Sequence, residues 1–240
     1  MSCGGLHTNH RAIVAAAAIV FFVLTLVMAV LPALREQALS TPTSARPRGQ
    51  EEARGRRVYL REGCGFCHTQ FVRDLPMDRP YGRPSRPGDY ALENPPMLGT
   101  QRTGPDLADV GARQPSEAWH MIHLYDPRAV VPQSVMPGYP FLSATEVDPD
   151  TIADHMRTLR TVGVPYTDDQ IANAGADLKA QADPDNAGSD AFNKRYAKAV
   201  VRNFDGKTGT PTEMDALIAY LQMLGTLVDF KLYNEKANLR

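Results

Sequence analysis

Five consecutive residues, Cys64-Gly65-Phe66-Cys67-His68, limit this chain more than any other stretch. In a C-x-x-C-H run the two thiols stand close enough to add to the two vinyl groups of one haem. The histidine follows directly, so its ring falls beneath the iron as an axial ligand. The rest of the fold must then cover a large, flat, apolar porphyrin on several sides. A covalent tether also keeps the cofactor where part of its edge stays open, which suits a protein that passes electrons at its surface. Two other uses of paired cysteines fit the chain less well. A zinc site wants a second pair of Cys or His ligands at finger-like spacing, and no cysteine follows Cys67. A redox dithiol usually closes a strand and opens a helix in a βαβ context, and none surrounds residues 64–67. The motif predicts one covalently bound haem c on Cys64 and Cys67, with His68 on the iron.

The bulk composition agrees with such a domain and excludes some partners. With 26 basic and 27 acidic residues the net charge is near zero, so nothing points to nucleic acid. Nineteen prolines and eighteen glycines predict long ordered loops around few helices. Of three cysteines, two are claimed by the haem, so no disulfide framework is available. Cys3 precedes the apolar stretch that follows, so it does not read as an acylation site and is expected to be a plain cytosolic thiol.

From Ala12 to Leu34 no residue is charged, and Arg11 and Arg35 bound the run. As a helix these residues span roughly 35 Å, enough for a hydrocarbon core of about 30 Å. The run exceeds the apolar core of an ordinary cleaved signal, and no clean small-x-small site follows it. It predicts a single transmembrane anchor at 12–34, behind a short cytoplasmic N-terminus at 1–11. Small side chains at Ala15 to Ala18 offer a surface for close helix packing. Orientation carries a conflict. Arg35, Arg46, Arg48 and Arg54 follow the span and only Arg11 precedes it closely, so the positive-inside rule puts the body in the cytoplasm. Bacterial C-x-x-C-H haem is attached outside the inner membrane, and a covalent requirement outweighs a statistical bias. The body is expected on the periplasmic side of the inner membrane.

Beyond the anchor, residues 35–53 read as a polar linker and 54–228 as the haem domain, with a C-terminal tail at 229–240. Glu51 to Arg61 reads as a short helix running into Cys64. Six prolines between Pro76 and Pro96 predict an irregular loop wrapping the haem. Ser116 to Tyr125 reads as a helix with Trp119, Ile122 and Leu124 or Tyr125 on a buried side, ended by Pro127. Ile152, Met156 and Leu159 fall at helical spacing. Residues 167–210 are helix-like but polar and read as an appendage. Thr210-Pro211-Thr212-Glu213 reads as a capping box with proline at the first helical position. It opens a helix whose Met214, Leu217, Ile218, Leu221 and Leu224 share one face, and Gly225 closes it. No segment alternates as a strand does, so the fold class is mostly α.

The second axial ligand must come from further along the chain. Met1 and Met28 are excluded by position, Met77 lies too close to His68, and Met121, Met156, Met214 and Met223 sit on helices as core filling. Met136 lies in Pro132-Gln133-Ser134-Val135-Met136-Pro137-Gly138-Tyr139-Pro140, where three prolines and a glycine fix a non-helical course able to aim a thioether. Met97, after Pro95-Pro96, is its rival, and His120 or His123 would make a bis-histidine site. Arg102-Thr103-Gly104-Pro105-Asp106-Leu107 can bring the Pro105 carbonyl to the free nitrogen of His68 and Leu107 to the porphyrin, or can be a plain turn.

Taken together, Tyr59 to Cys64, Arg102 to Leu107, Asp126-Pro127-Arg128, Val130-Val131-Pro132, Ser134, Met136-Pro137, Gly163 to Thr167 and Thr212 to Gln222 resemble the mono-haem cytochrome c subunit (subunit II) of cbb3-type cytochrome c oxidases. The resemblance covers most of residues 55–228, and residues 69–99 and 177–210 depart from it. It implies one anchor, a periplasmic class I-like cytochrome c domain, and haem c held by Cys64, Cys67, His68 and Met136. It further implies electron delivery to the catalytic subunit of a haem–copper oxidase, alongside other cytochrome c subunits. With both axial positions filled, this chain would hold no oxygen-reducing site and no catalytic residue. A subunit of a related reductase such as nitric oxide reductase, or a free-standing anchored shuttle, would need the same haem and anchor.

Overall fold

The computed structural model describes residues 9–40, 46–90, 92–197, 199–204, 206 and 209–226, with the backbone alone described at 36–40. Cys3, most of the expected N-terminal segment and the tail at 229–240 lie outside the described residues. The chain divides into two units, Met1–Thr43 and Ser44–Arg240.

In the first unit one helical run carries the apolar stretch: α1 (His10–Thr25), a π-helical turn (Leu26–Val30) and α2 (Leu31–Ser40). Asn9 caps it, its side chain accepting from the Ala12 N–H. The π turn has a local cause. Pro32 has no N–H to give to Met28, and its ring would strike that carbonyl in a regular helix. A wider turn just before it relieves the clash, and the Leu31 N–H bonds to the Leu26 carbonyl. Apolar side chains are exposed all round, with Phe21, Phe22 and Met28 at 64%, 68% and 73%. His10–Arg35 is long and apolar enough to cross a membrane.

Among its described residues the second unit carries the helices α3 (Gln50–Arg61), α4 (Val110–Arg113), α5 (Glu117–Tyr125), α6 (Pro127–Val130), α7 (Ile152–Thr161), α8 (Asp168–Ala172), α9 (Ala174–Ala182), α10 (Ser189–Arg195) and α11 (Glu213–Met223). Among the described residues no strand forms, and the ladder contact present is an isolated bridge between Glu146 and Thr212. The organising contact is the crossing of α3 on α11. Gly55 makes it possible, because a Cβ there would fall onto the Ala216 carbonyl and 2.7 Å from Tyr220 Cβ. Arg61 and Arg54 of α3 both pair with Glu213 at the start of α11. These pairs, Arg61 foremost, hold the Glu213 carboxyl below its ordinary range.

Two apolar cores lie on either side of α11. The first joins Val58 and Tyr59 of α3 to Leu124 of α5 and to Met214, Leu217, Ile218 and Tyr220. The second gathers Ile152 and Met156 of α7, Leu178 of α9 and Phe192 with Tyr196 around Ala216. The predicted apolar stripe of α11 is therefore too narrow, since every residue from Glu213 to Leu221 is buried.

Four other expectations change in detail. The cap of α11 is Thr212, not Thr210: its hydroxyl accepts from the Asp215 N–H while Asp215 Oδ2 accepts from the Thr212 N–H at 2.9 Å. The bridge explains the shift. Bonds from Val147 N–H to the Pro211 carbonyl and from Glu213 N–H to the Thr145 carbonyl, both 2.8 Å, hold 211–213 extended, so the helix begins later. The polar linker is shorter than 35–53, because α2 runs to Ser40 and residues 48–53 are buried within the second unit. Residues 167–210 are no appendage. Leu178, Phe192 and Tyr196 are 0–2% exposed, and the polar side chains of Asp177 and Gln181 are buried by pairing. Gln181 accepts from the Glu51 N–H at 3.0 Å, Tyr196 accepts from Gln50 at 2.5 Å, and Asp177 pairs with Arg195. A polar sequence hides such a layer because the hydrogen bonds, not hydrophobic periodicity, make burial tolerable. On α5 the buried side is His120 and Leu124, whereas Ile122 and Tyr125 are exposed.

Candidate haem site

The C-x-x-C-H motif begins where α3 stops. Gly63, at φ 71°, takes the left-handed conformation that lets the chain leave the helix. Cys64 to Phe66 then form a 3₁₀ turn, and the Cys67 and His68 N–H groups bond to the Cys64 carbonyl at 3.2 and 2.9 Å. Both thiols and the imidazole are thus carried by one short turn fixed to α3. Cys64 is partly buried and Cys67 exposed. Burial pushes the Cys64 thiol up to about 11, the opposite of what a thiol–disulfide exchange centre needs.

The segment 98–107 runs beside this turn and is hydrogen-bonded to it. Gln70 N–H bonds to Leu98, Thr100 N–H to Gly65, Gly104 N–H to Cys67 and Leu107 N–H to Thr69, at 2.8–3.0 Å. Gly104 lies against the His68 ring, where a Cβ would stand 2.8 Å from both Nδ1 and Nε2. The Pro105 carbonyl lies 2.8 Å from His68 Nδ1. Nδ1 thereby carries the proton and Nε2 is the nitrogen left for a metal. Burial lowers the proton affinity of the ring, with Pro105 acting against it.

Residues 132–139 are non-helical. The loop is tied to α5 by a 2.7 Å bond from the Tyr139 N–H to the Leu124 carbonyl, and a Cβ on Gly138 would sit 2.6 Å from the Tyr125 carbonyl. Ser134 Oγ accepts from the Met136 N–H at 3.2 Å. Tyr139, in the same loop, lies near the cysteines: burial first, then Cys64 and Cys67, push its phenol up. Met136, Leu107 and Cys64 all pack, partly buried, against the first core, together with Met97, Met121 and Tyr139. Of the sequence-predicted site residues, Cys64, Leu107 and Met136 pack against the first core, as does the rival Met97, while Cys67, His68 and Pro105 lie on the turn and on the segment bonded to it. Met77 is 69% exposed, and Met156, Met214 and Met223 are buried core residues. His120 is buried, its Nε2 2.9 Å from the Gln114 carbonyl, while His123 stacks on Trp119 with ring centroids 4.6 Å apart.

These residues fit a haem. The rim is apolar and carries thioethers, and the imidazole is singly hydrogen-bonded with one nitrogen over. Among the described residues no group of three or more His, Cys, Asp and Glu is placed to hold a bare metal ion. A porphyrin supplies four of the ligands itself and asks the chain only for axial donors. Sequence reasoning missed Gly104, whose lack of a side chain admits the His68 ring, and the buried acids Asp78 and Asp106 beneath it.

A membrane-compatible helix joined to a helical unit with one C-x-x-C-H turn defines the class of single-haem, membrane-anchored cytochromes. Within that class the chain belongs to the mono-haem subunit family of cytochrome c oxidases, since the family described as "Cytochrome C oxidase, mono-heme subunit/FixO" matches residues 6–228. No curated protein matches the chain. Membership makes it a haem-bearing, electron-transferring subunit of an oxidase complex.

Proposed function

We propose that the chain passes electrons one at a time to the catalytic subunit of a cbb3-type oxidase, from a haem c joined to Cys64 and Cys67. When bound, the haem supplies reversible one-electron iron chemistry. His68 is the proximal ligand through Nε2, and the Pro105 carbonyl holds the ring in one tautomer and one orientation. The 2.8 Å approach of that carbonyl to Nδ1 is the observation that carries the reading. Met136 would supply the second ligand to the iron; a thioether there would raise the potential relative to a second imidazole and would leave no position for oxygen. Cys64, Leu107 and Tyr139 shut water from one side. The exposed Cys67 and the 73%-exposed Phe66 mark the edge where electrons enter or leave. The span at His10–Arg35 anchors the subunit in the inner membrane, with the haem unit on the periplasmic side. Other cytochrome c subunits stand upstream of it.

The test is a mild-detergent purification of the tagged full-length protein from its own membranes, read by a reduced-minus-oxidised spectrum. Signals from both b- and c-type haem, with oxygen uptake from a reduced donor, are expected. A c-type signal alone, with no other subunit, contradicts a fixed place in an oxidase and makes the protein a free-standing shuttle.

A further inference from the structure

Beneath the His68–Pro105 pair lies a polar cluster that no haem motif singles out. Asp106 is 0% exposed. Its Oδ2 accepts from the Phe71 N–H at 2.9 Å and from the Thr69 hydroxyl at 2.6 Å, and its Oδ1 accepts from the Ala108 N–H at 2.8 Å. Thr69 Oγ1 accepts in turn from Arg102 Nε at 2.6 Å. The same guanidinium donates to the Phe71 carbonyl at 2.6 Å and to Asp106 Oδ2 at 3.2 Å. It also pairs with Asp78, a second fully buried acid that Arg73 holds from the other side.

Two fully buried carboxylates sharing a partly buried guanidinium are a costly way to hold these segments together. Apolar side chains of similar volume would do so without the desolvation penalty. What the charges add is fixed geometry, and the geometry they fix is specific. Thr69 follows His68 and Asp106 follows Pro105, so the 2.6 Å hydroxyl–carboxylate bond ties the two partners of the ring's own hydrogen bond at adjacent residues. Arg102, a planar fork with a permanent charge, spans the same two strands of chain and cannot let go by titration.

We infer that Arg102, Thr69 and Asp106 are positioning residues that set the strength of the His68–Pro105 hydrogen bond and thereby the reduction potential of the haem. The inference rests on His68 carrying the haem, as proposed above. A firmly held Nδ1–H···O=C bond makes the ring a stronger donor through Nε2 and favours oxidised iron; a loosened one raises the potential.

The experiment compares full-length haem-loaded Thr69→Val, Thr69→Ser and Arg102→Gln with the parent. It reads covalent haem after denaturation, the midpoint potential, and hydrogen exchange of the His68 Nδ1 proton in the reduced state. Thr69→Val and Arg102→Gln are expected to keep the haem, to exchange that proton roughly five- to tenfold faster, the worth of one ordinary hydrogen bond, and to have a raised potential. Thr69→Ser, which keeps the hydroxyl, is expected to match the parent in all three. Parental exchange and potential in both Thr69→Val and Arg102→Gln overturn the inference, as does a Thr69→Ser shift as large as that of Thr69→Val. A parent that carries no haem through denaturation fails the haem reading itself, and the inference falls with it.

Discussion

At the scale of single residues the account turns on what touches His68 and what lies opposite it. Met136→Ala is expected to retain the haem, to lower its potential, and to let the reduced protein bind carbon monoxide at the vacated position. If the reduced variant binds none, Met136 is not the ligand, and Met97, on the same rim, takes its place. Gly104→Ala puts a methyl group into the space of the His68 ring. It should lower the denaturant stability of the haem-loaded protein by roughly 1–3 kcal/mol, the usual cost of overpacking; an unchanged unfolding midpoint would show that the ring moves aside freely. The C-x-x-C-H motif was legible because the chemistry it is read for fixes its spacing. Gly104 was not, because a glycine in sequence announces a turn and a close approach in the same way. Asp78 and Asp106 left no signal, since their burial depends on partners 24 to 37 residues away.

At the scale of elements, the crossing of α3 on α11 decides whether the candidate site exists at all, because the C-x-x-C-H turn hangs from the end of α3. Gly55→Ala brings a Cβ onto the Ala216 carbonyl, a backbone atom that cannot step aside as a side chain would. The expected loss is about 3 kcal/mol, the upper end of overpacking costs, read from urea unfolding. A loss under about 0.5 kcal/mol, the range of an ordinary surface substitution, would mean that the helices do not approach so closely. Both helices were legible in sequence, but the periodicity of α11 assigned it a single apolar face. A helix shared by two cores reads in sequence like a helix on the edge of one, because Ala216 and Ala219 carry little hydrophobic signal while being wholly enclosed. The second core was illegible for the complementary reason: Gln50, Gln181 and Asp177 are polar letters in buried places.

At the scale of the whole molecule, the unit beyond Ser44 should lose stability on mild acidification. Burial first, then Arg57, Arg54 and Arg56 of α3, lower the proton affinity of His155 from the ordinary 6.5 to about 4. The folded state therefore holds a neutral ring where the unfolded chain holds a charged one. The stability this contributes is complete above about pH 6.5 and is lost progressively as the pH falls towards 4. His155→Leu should flatten that part of the urea-midpoint profile, and an unaltered slope would assign the acid sensitivity to other groups. The anchor was legible from its uncharged run, and the family match over residues 6–228 joins that anchor and the haem unit in one family. The central claim is the tether between chain and cofactor, and it is tested most directly by denaturing the purified full-length protein and its Cys67→Ala variant and measuring the haem still attached. One haem per chain with a c-type reduced band is expected on the parent, and impaired attachment with a shifted band in Cys67→Ala; a variant with the parental haem content and spectrum would rule the tether out.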